Sequence, residues 1–171
     1  MADLALLLLR IVTGGLLMGH GAQKLFGSFG GYGLSGTGQW LESLGLRPGL
    51  FWAGGAGLSE LVGGLLTVLG LGGPIGSILT TSSMKMATFK AHSGKPIWNT
   101  AGGAELPVVN AAVATALILT GPGRYSLDRV FGIKVPRCVT LLLTLGATVT
   151  IVVGLLMEPE ASEQPAGSES A

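Results

Sequence analysis

Charge is scarce in this chain. Only 11% of its 171 residues are Asp, Glu, Lys or Arg, against about 25% in ordinary soluble domains. Too few ionic groups are present to cover a soluble surface of that size. Formal net charge is +1, so there is no polybasic footprint for nucleic acid. Cys138 is the single cysteine; an internal disulfide, a C-x-x-C redox pair and an all-cysteine metal site are excluded. Two histidines without a set of carboxylates do not make a metal site, and none is expected. The Gly-rich run after the first apolar segment lacks GxxxxGK[ST], which argues against a nucleotide site.

What the chain has is apolar residues and glycine. It is 48% hydrophobic with 30 glycines, and its mean hydropathy is +0.62. This composition fits a small polytopic membrane protein whose helices approach closely through Gly, Ala, Ser and Thr. The length suits one compact bundle. The apolar runs predict spans over about 4–26, 50–71, 75–91 and 105–120, and a fifth over 138–157. Met1-Ala-Asp3 lacks a basic stretch and Arg10 interrupts the first run, so that run reads as an uncleaved span, not a signal peptide. Residues 27–49 read as a Gly-rich connection followed by a short amphipathic stretch, Gln39 to Leu46. The tail, 158–171, is rich in Glu, Ser, Ala, Gly and Pro and reads as disordered. The expected fold class is all-α: a polytopic membrane four-helix bundle, residues 1–132, plus a fifth transmembrane helix.

Within these runs lie ionisable residues that cost at least ~2.5–3.5 kcal/mol each at mid-bilayer. Sorted at ~100° per residue, they share faces with small residues. In the first span Arg10, Thr13, Gly14, Leu17, His20, Gly21 and Lys24 form one stripe. In the second Ala53, Ala56, Gly57, Glu60, Gly63, Gly64 and Thr67 do so. Ser77, Thr81, Lys85, Thr88 and His92 line the third span, and Glu105, Val109, Ala112 and Ala116 the fourth. Packed together, the stripes predict a buried polar cluster of Arg10, Glu60, Lys85 and Glu105, with His20, Lys24 and His92 at its mouth. Two cations and two carboxylates neutralise one another there. Two readings stay open: a clasp, Arg10 with Glu60 above all, that only holds helices together, or a ligand or proton site. No catalytic residue can be named.

The motifs then point to a family. Leu8-Leu9-Arg10, Gly19-His20-Gly21 and Gln23-Lys24-Leu25-Phe26-Gly27 resemble the N-terminal signature of the DoxX family of bacterial membrane proteins. Glu60-Leu61-Val62-Gly63-Gly64-Leu65-Leu66 resembles its second helix. Gly102-Gly103-Ala104-Glu105-Leu106-Pro107 and Gly121-Pro122-Gly123-Arg124-Tyr125-Ser126-Leu127-Asp128 resemble its last helix and the end of its domain. The resemblance covers about residues 4–132. It implies a four-helix membrane bundle in which Arg10, His20, Lys24, Glu60, His92 and Glu105 occupy the family's polar positions. Lys85 and the fifth span depart from that pattern. Relatives include the membrane subunit of a thiosulfate:quinone oxidoreductase and a member associated with a thiosulfate sulfurtransferase and superoxide dismutase.

These observations support three expectations. The first is a membrane subunit or accessory protein of a redox or oxidative-stress system, linked to thiosulfate or quinone and non-catalytic on its own. The second is a small-anion transporter, which needs a homo-oligomer. The third is a purely structural subunit of a larger membrane complex. The expected partners are the lipid bilayer and other protein subunits, with no nucleic acid; quinone is the one cofactor in view. Basic residues balance between the two ends, but Arg124, Arg129, Lys134 and Arg137 are the denser group. They lean the prediction to a plasma-membrane protein with its N-terminus in the cytoplasm.

Overall fold

The computed structural model describes residues 1–159; most of the predicted disordered tail lies outside them. Seven α-helices and no strand are found among the described residues. They are α1 (Ala2–Phe26), α2 (Gly33–Ser43), α3 (Gly49–Leu69), α4 (Ile75–Met86), α5 (Glu105–Thr120), α6 (Leu127–Phe131) and α7 (Arg137–Leu156). A π-helical turn, Ala87–Ala91, extends α4. Helices α1, α3 and α7 are long and apolar enough to cross a bilayer. The 16-residue α5 is shorter, and α4 with its π turn is the most polar; both are held by packing within the bundle.

The bundle is built around α1 and α3, which run antiparallel in the most extensive contact. Helix α4 packs on α3, and α5 on α4 and α1. Helix α7 leans on α4 and the π turn from outside, and α2 lies across α1 and α3. The α1–α3 approach is set by glycine. A Cβ on Gly21 would lie 2.4 Å from the Leu61 nitrogen, and one on Gly64 would lie 2.6 Å from the Gly14 oxygen. No other residue permits that distance. The predicted small-residue stripes are therefore the real interfaces: Thr13, Gly14, Leu17 and Gly21 of α1, and Ala53, Gly57, Gly63, Gly64 and Thr67 of α3, are buried.

Helix ends follow local chemistry. Gly27 and Gly70 adopt left-handed conformations that stop α1 and α3. Helix α2 is the main departure from expectation. It begins six residues before the predicted amphipathic stretch and runs through Gly36 and Gly38. Tertiary packing overrides the poor propensity here, because Thr37 and Gly38 are buried and Gly49 sits directly on Gly38.

Candidate functional site

The ionisable residues occupy two separate places. At the end of the bundle where α1 begins, Arg10 is 2% exposed. Its guanidinium donates four hydrogen bonds to backbone carbonyls. Nε bonds Thr67 O at 2.9 Å and Nη2 bonds Val68 O at 2.7 Å; Nη1 bonds Pro122 O and Tyr125 O, both at 2.7 Å. The first two are carbonyls of the last turn of α3, where the helix runs out of N–H donors; Thr67 O also accepts the Gly70 N–H at 3.2 Å. The other two belong to the loop after α5. Gly70 leaves room for the guanidinium, since a Cβ there would lie 2.5 Å from Nη2. Asp128, buried on α6, accepts the N–H groups of Gly72 (2.8 Å) and Gly73 (2.6 Å). Asp3 accepts from the Arg124 nitrogen at 2.9 Å, and Ser126 caps α6 through the Arg129 nitrogen. Together these bonds form a latch that ties α1, the end of α3, the α3–α4 turn and the 121–128 segment.

The second place lies toward the other end. The Lys24 ammonium donates to Glu60 Oε2, and Ser83 Oγ donates to Glu60 Oε1 at 2.6 Å. The Glu60 side chain is 2% exposed and that of Lys24 26%. This pair sits in the wall of a cavity of about 630 Å³, which His20, His92 and Lys90 also line. The walls are mainly apolar: Leu41 of α2, Trp52 of α3, Met86 of α4, Leu106 of α5 and Leu142 of α7 contribute. Lys90 donates to the backbone oxygen of Met157, which ties the π turn to the end of α7. His92 Nδ1 lies 2.6 Å from Gly102 O. A carbonyl only accepts, so Nδ1 carries the proton there. His20 Nδ1 is 3.0 Å from Gln23 Oε1.

The proposed single cluster is corrected in three respects. Arg10 and Glu60 share the α1–α3 interface but do not meet. A helical side chain leans toward its own N-terminus, and the two helices are antiparallel, so Arg10 and Glu60 reach toward opposite ends. Lys24 and Glu60 lean toward each other for the same reason, which makes them the pair. Lys85 is exposed and lines no part of the cavity. Each four-residue step along a helix drifts by about 40°, so the stripe Ser77–Thr81–Lys85 leaves the interface at its third member. Glu105 serves the 93–104 loop instead: its Oε2 accepts from the Asn99 nitrogen at 2.9 Å and its own nitrogen donates to Ile97 O. Of the seven predicted residues, His20, Lys24, Glu60 and His92 share the cavity.

Residues 5–93 match the family model for DoxX, which is just over half the chain. The chain belongs to the DoxX family. This makes it a membrane protein, in agreement with its apolar helices. No curated protein and no solved structure matches it. The DoxX match contains Arg10, the Lys24–Glu60–Ser83 group and the π turn, and it ends after His92. The α5 and α7 walls of the cavity lie beyond it. Sequence reasoning missed Ser83, which lies roughly 160° around α4 from the middle of the assumed stripe, on the face that meets α3 through Gly76 and Thr80. It also missed the latch role of Asp128, for which the N-cap pattern Ser126-Leu-Asp128 was the available signal.

Proposed function

We propose that this DoxX-family chain is a membrane subunit or accessory protein of a bacterial redox or oxidative-stress system. Its cavity holds a quinone, and the electron transfer it serves is linked to thiosulfate. The observation that carries this reading is the cavity itself. At about 630 Å³ it falls within the usual range for small-molecule sites, ~300–1,000 Å³. It joins apolar walls to one polar corner, as a lipid-soluble carbonyl compound requires. In this reading the chain acts with partner subunits and not as an enzyme alone.

Membranes from a deletion strain, complemented with wild type or with Glu60→Gln, test it. Thiosulfate-dependent quinone reduction and tolerance to thiol stress should both fall on deletion and recover only with wild type. If both are unchanged by deletion, the redox reading loses its basis.

The transport alternative draws on one observation, an ion pair lining a cavity inside the bundle. The latch counts against it, because Arg10 and the loop it gathers fill the core at the opposite end. Labelled-anion flux into proteoliposomes that is lost with Glu60→Gln would favour transport.

We infer the orientation from the cations exposed at each end of the bundle. Lys24 and Lys90 are drawn into the cavity. The exposed basic residues at that end are then Arg47 and Lys95, against Arg124, Arg129, Lys134 and Arg137 at the end where α1 begins. We place the latter end, with the N-terminus, in the cytoplasm.

A further inference from the structure

We infer that the cavity is a laterally open site for a single-chain amphiphile with a hydrogen-bond-accepting head, in which Lys24 contacts the head and α7 is the wall along which the chain lies. The inference rests on the same cavity as the quinone reading but requires no redox chemistry.

The head chemistry follows from how donors and acceptors are used. Both Glu60 oxygens are taken, one by Lys24 and one by Ser83, and its side chain is almost fully buried. Glu60 is therefore a positioning residue. Lys24 is a quarter exposed and has three N–H donors, of which Glu60 takes one. Lys90, the second ammonium on the cavity, has only the Met157 carbonyl and no carboxylate among the described residues. Two ammonium groups and one carboxylate leave the site formally cationic. It favours a carbonyl or anionic oxygen and opposes a cationic head.

The route of entry follows from α7. This helix is buried only at Gly154, where a Cβ would lie 2.4 Å from Met86 Cε. Leu142, Gly146 and Thr150 line the cavity and are exposed, and α7 packs chiefly on α4 and the π turn, which leaves its other flanks to the outside of the bundle. In a bilayer that outside is lipid. A ligand reaches Lys24 from the acyl-chain region beside α7, and so needs an apolar body.

Trp40 and Trp52 line the cavity, and Trp98 does not, so tryptophan quenching reports occupancy. The full-length chain in dodecyl maltoside is titrated with 12-bromododecanoate, 12-bromododecylammonium and decylubiquinone. The carboxylate should quench saturably and the ammonium only in proportion to its partitioning into micelles. Lys24→Met should weaken carboxylate binding at least tenfold, and Ala147→Phe, which fills the cavity from α7 and touches no charge, should abolish it. If Lys24→Met does not fold because Glu60 is left unpaired, Lys24→Met with Glu60→Leu removes both charges and carries the test. Saturable carboxylate binding without decylubiquinone binding supports this site and removes the quinone reading. Saturable binding of both supports both. Equal quenching by carboxylate and ammonium overturns the head assignment, and no saturable quenching by any probe overturns the site.

Discussion

Replacing Arg10 should unlatch one end of the bundle. In Arg10→Met, four carbonyls lose a charged donor at 2.7–2.9 Å. Hydrogen bonds to charged groups are worth about 1.5–3 kcal/mol each in water-soluble proteins, a gross loss of about 6–12 kcal/mol. Methionine needs no desolvation of charge and refills part of the space, which offsets much of that. Interhelical hydrogen bonds in a membrane average about 0.6 kcal/mol, so four at that average give a low estimate of about 2 kcal/mol. The net loss should be about 2–5 kcal/mol. Arg10→Lys should lose roughly half as much, because one ammonium cannot meet carbonyls on both α3 and the 122–125 loop as the planar fork does. Reversible unfolding by SDS in mixed micelles reads both values, and limited proteolysis should show cleavage appearing between residues 121 and 136. The decisive control is Glu60→Gln. If Arg10 works through the latch, the double variant should be additive within about 0.5 kcal/mol. A loss below about 1 kcal/mol for Arg10→Met, or strong coupling to Glu60, would refute the latch.

Other outcomes follow from single residues. Gly21→Ala places a Cβ 2.4 Å from the Leu61 nitrogen, and forcing α1 from α3 should cost about 1–3 kcal/mol in the same unfolding assay. Asp128→Ala frees the Gly72 and Gly73 N–H groups and should cost about 2–3 kcal/mol; an unchanged midpoint would remove Asp128 from the latch. Lys85 is exposed within α4, so Lys85→Leu should leave stability unchanged or raise it and improve membrane insertion, the charge costing ~2.5–3.5 kcal/mol at mid-bilayer. A loss above about 1 kcal/mol would show that Lys85 has a partner. Cys138, the single and exposed cysteine, stands at the latch end; a membrane-impermeant maleimide should label it only after permeabilisation, and labelling of intact cells would invert the orientation.

The helices were legible because span length and apolarity are summed over many residues, so single errors cancel. The interfaces of α1 and α3 were legible for a related reason. Small residues at helical spacing have one use in a membrane, close approach, and Gly14, Gly21, Gly57 and Gly64 are put to it. Helix α2 was half hidden because its glycines signal breakage locally, while their role is to let α2 lie on Gly49. The cavity's α7 wall was not legible, since beyond Arg137 that helix carries no charge to mark which neighbour it faces.

For Arg10 and Glu60 the predicted cluster failed on one coordinate. Sorting residues by angle finds the face and says nothing of height along the axis. Arg10 and Glu60 lie 50 positions apart in sequence on the same interface, and only the antiparallel pairing of Gly14 with Gly64 and Gly21 with Leu61 assigns their levels. At those levels Arg10 faces the last carbonyls of α3, and Glu60 faces Lys24. The division has a physical consequence. Arg10 spends four of its five N–H donors on backbone and is buried in its end of the core, which closes it to a ligand. Lys24 is held by a single carboxylate and keeps donors free beside an open cavity. The same cost of burying charge thus yields a closed end, fixed by architecture, and an open end able to bind.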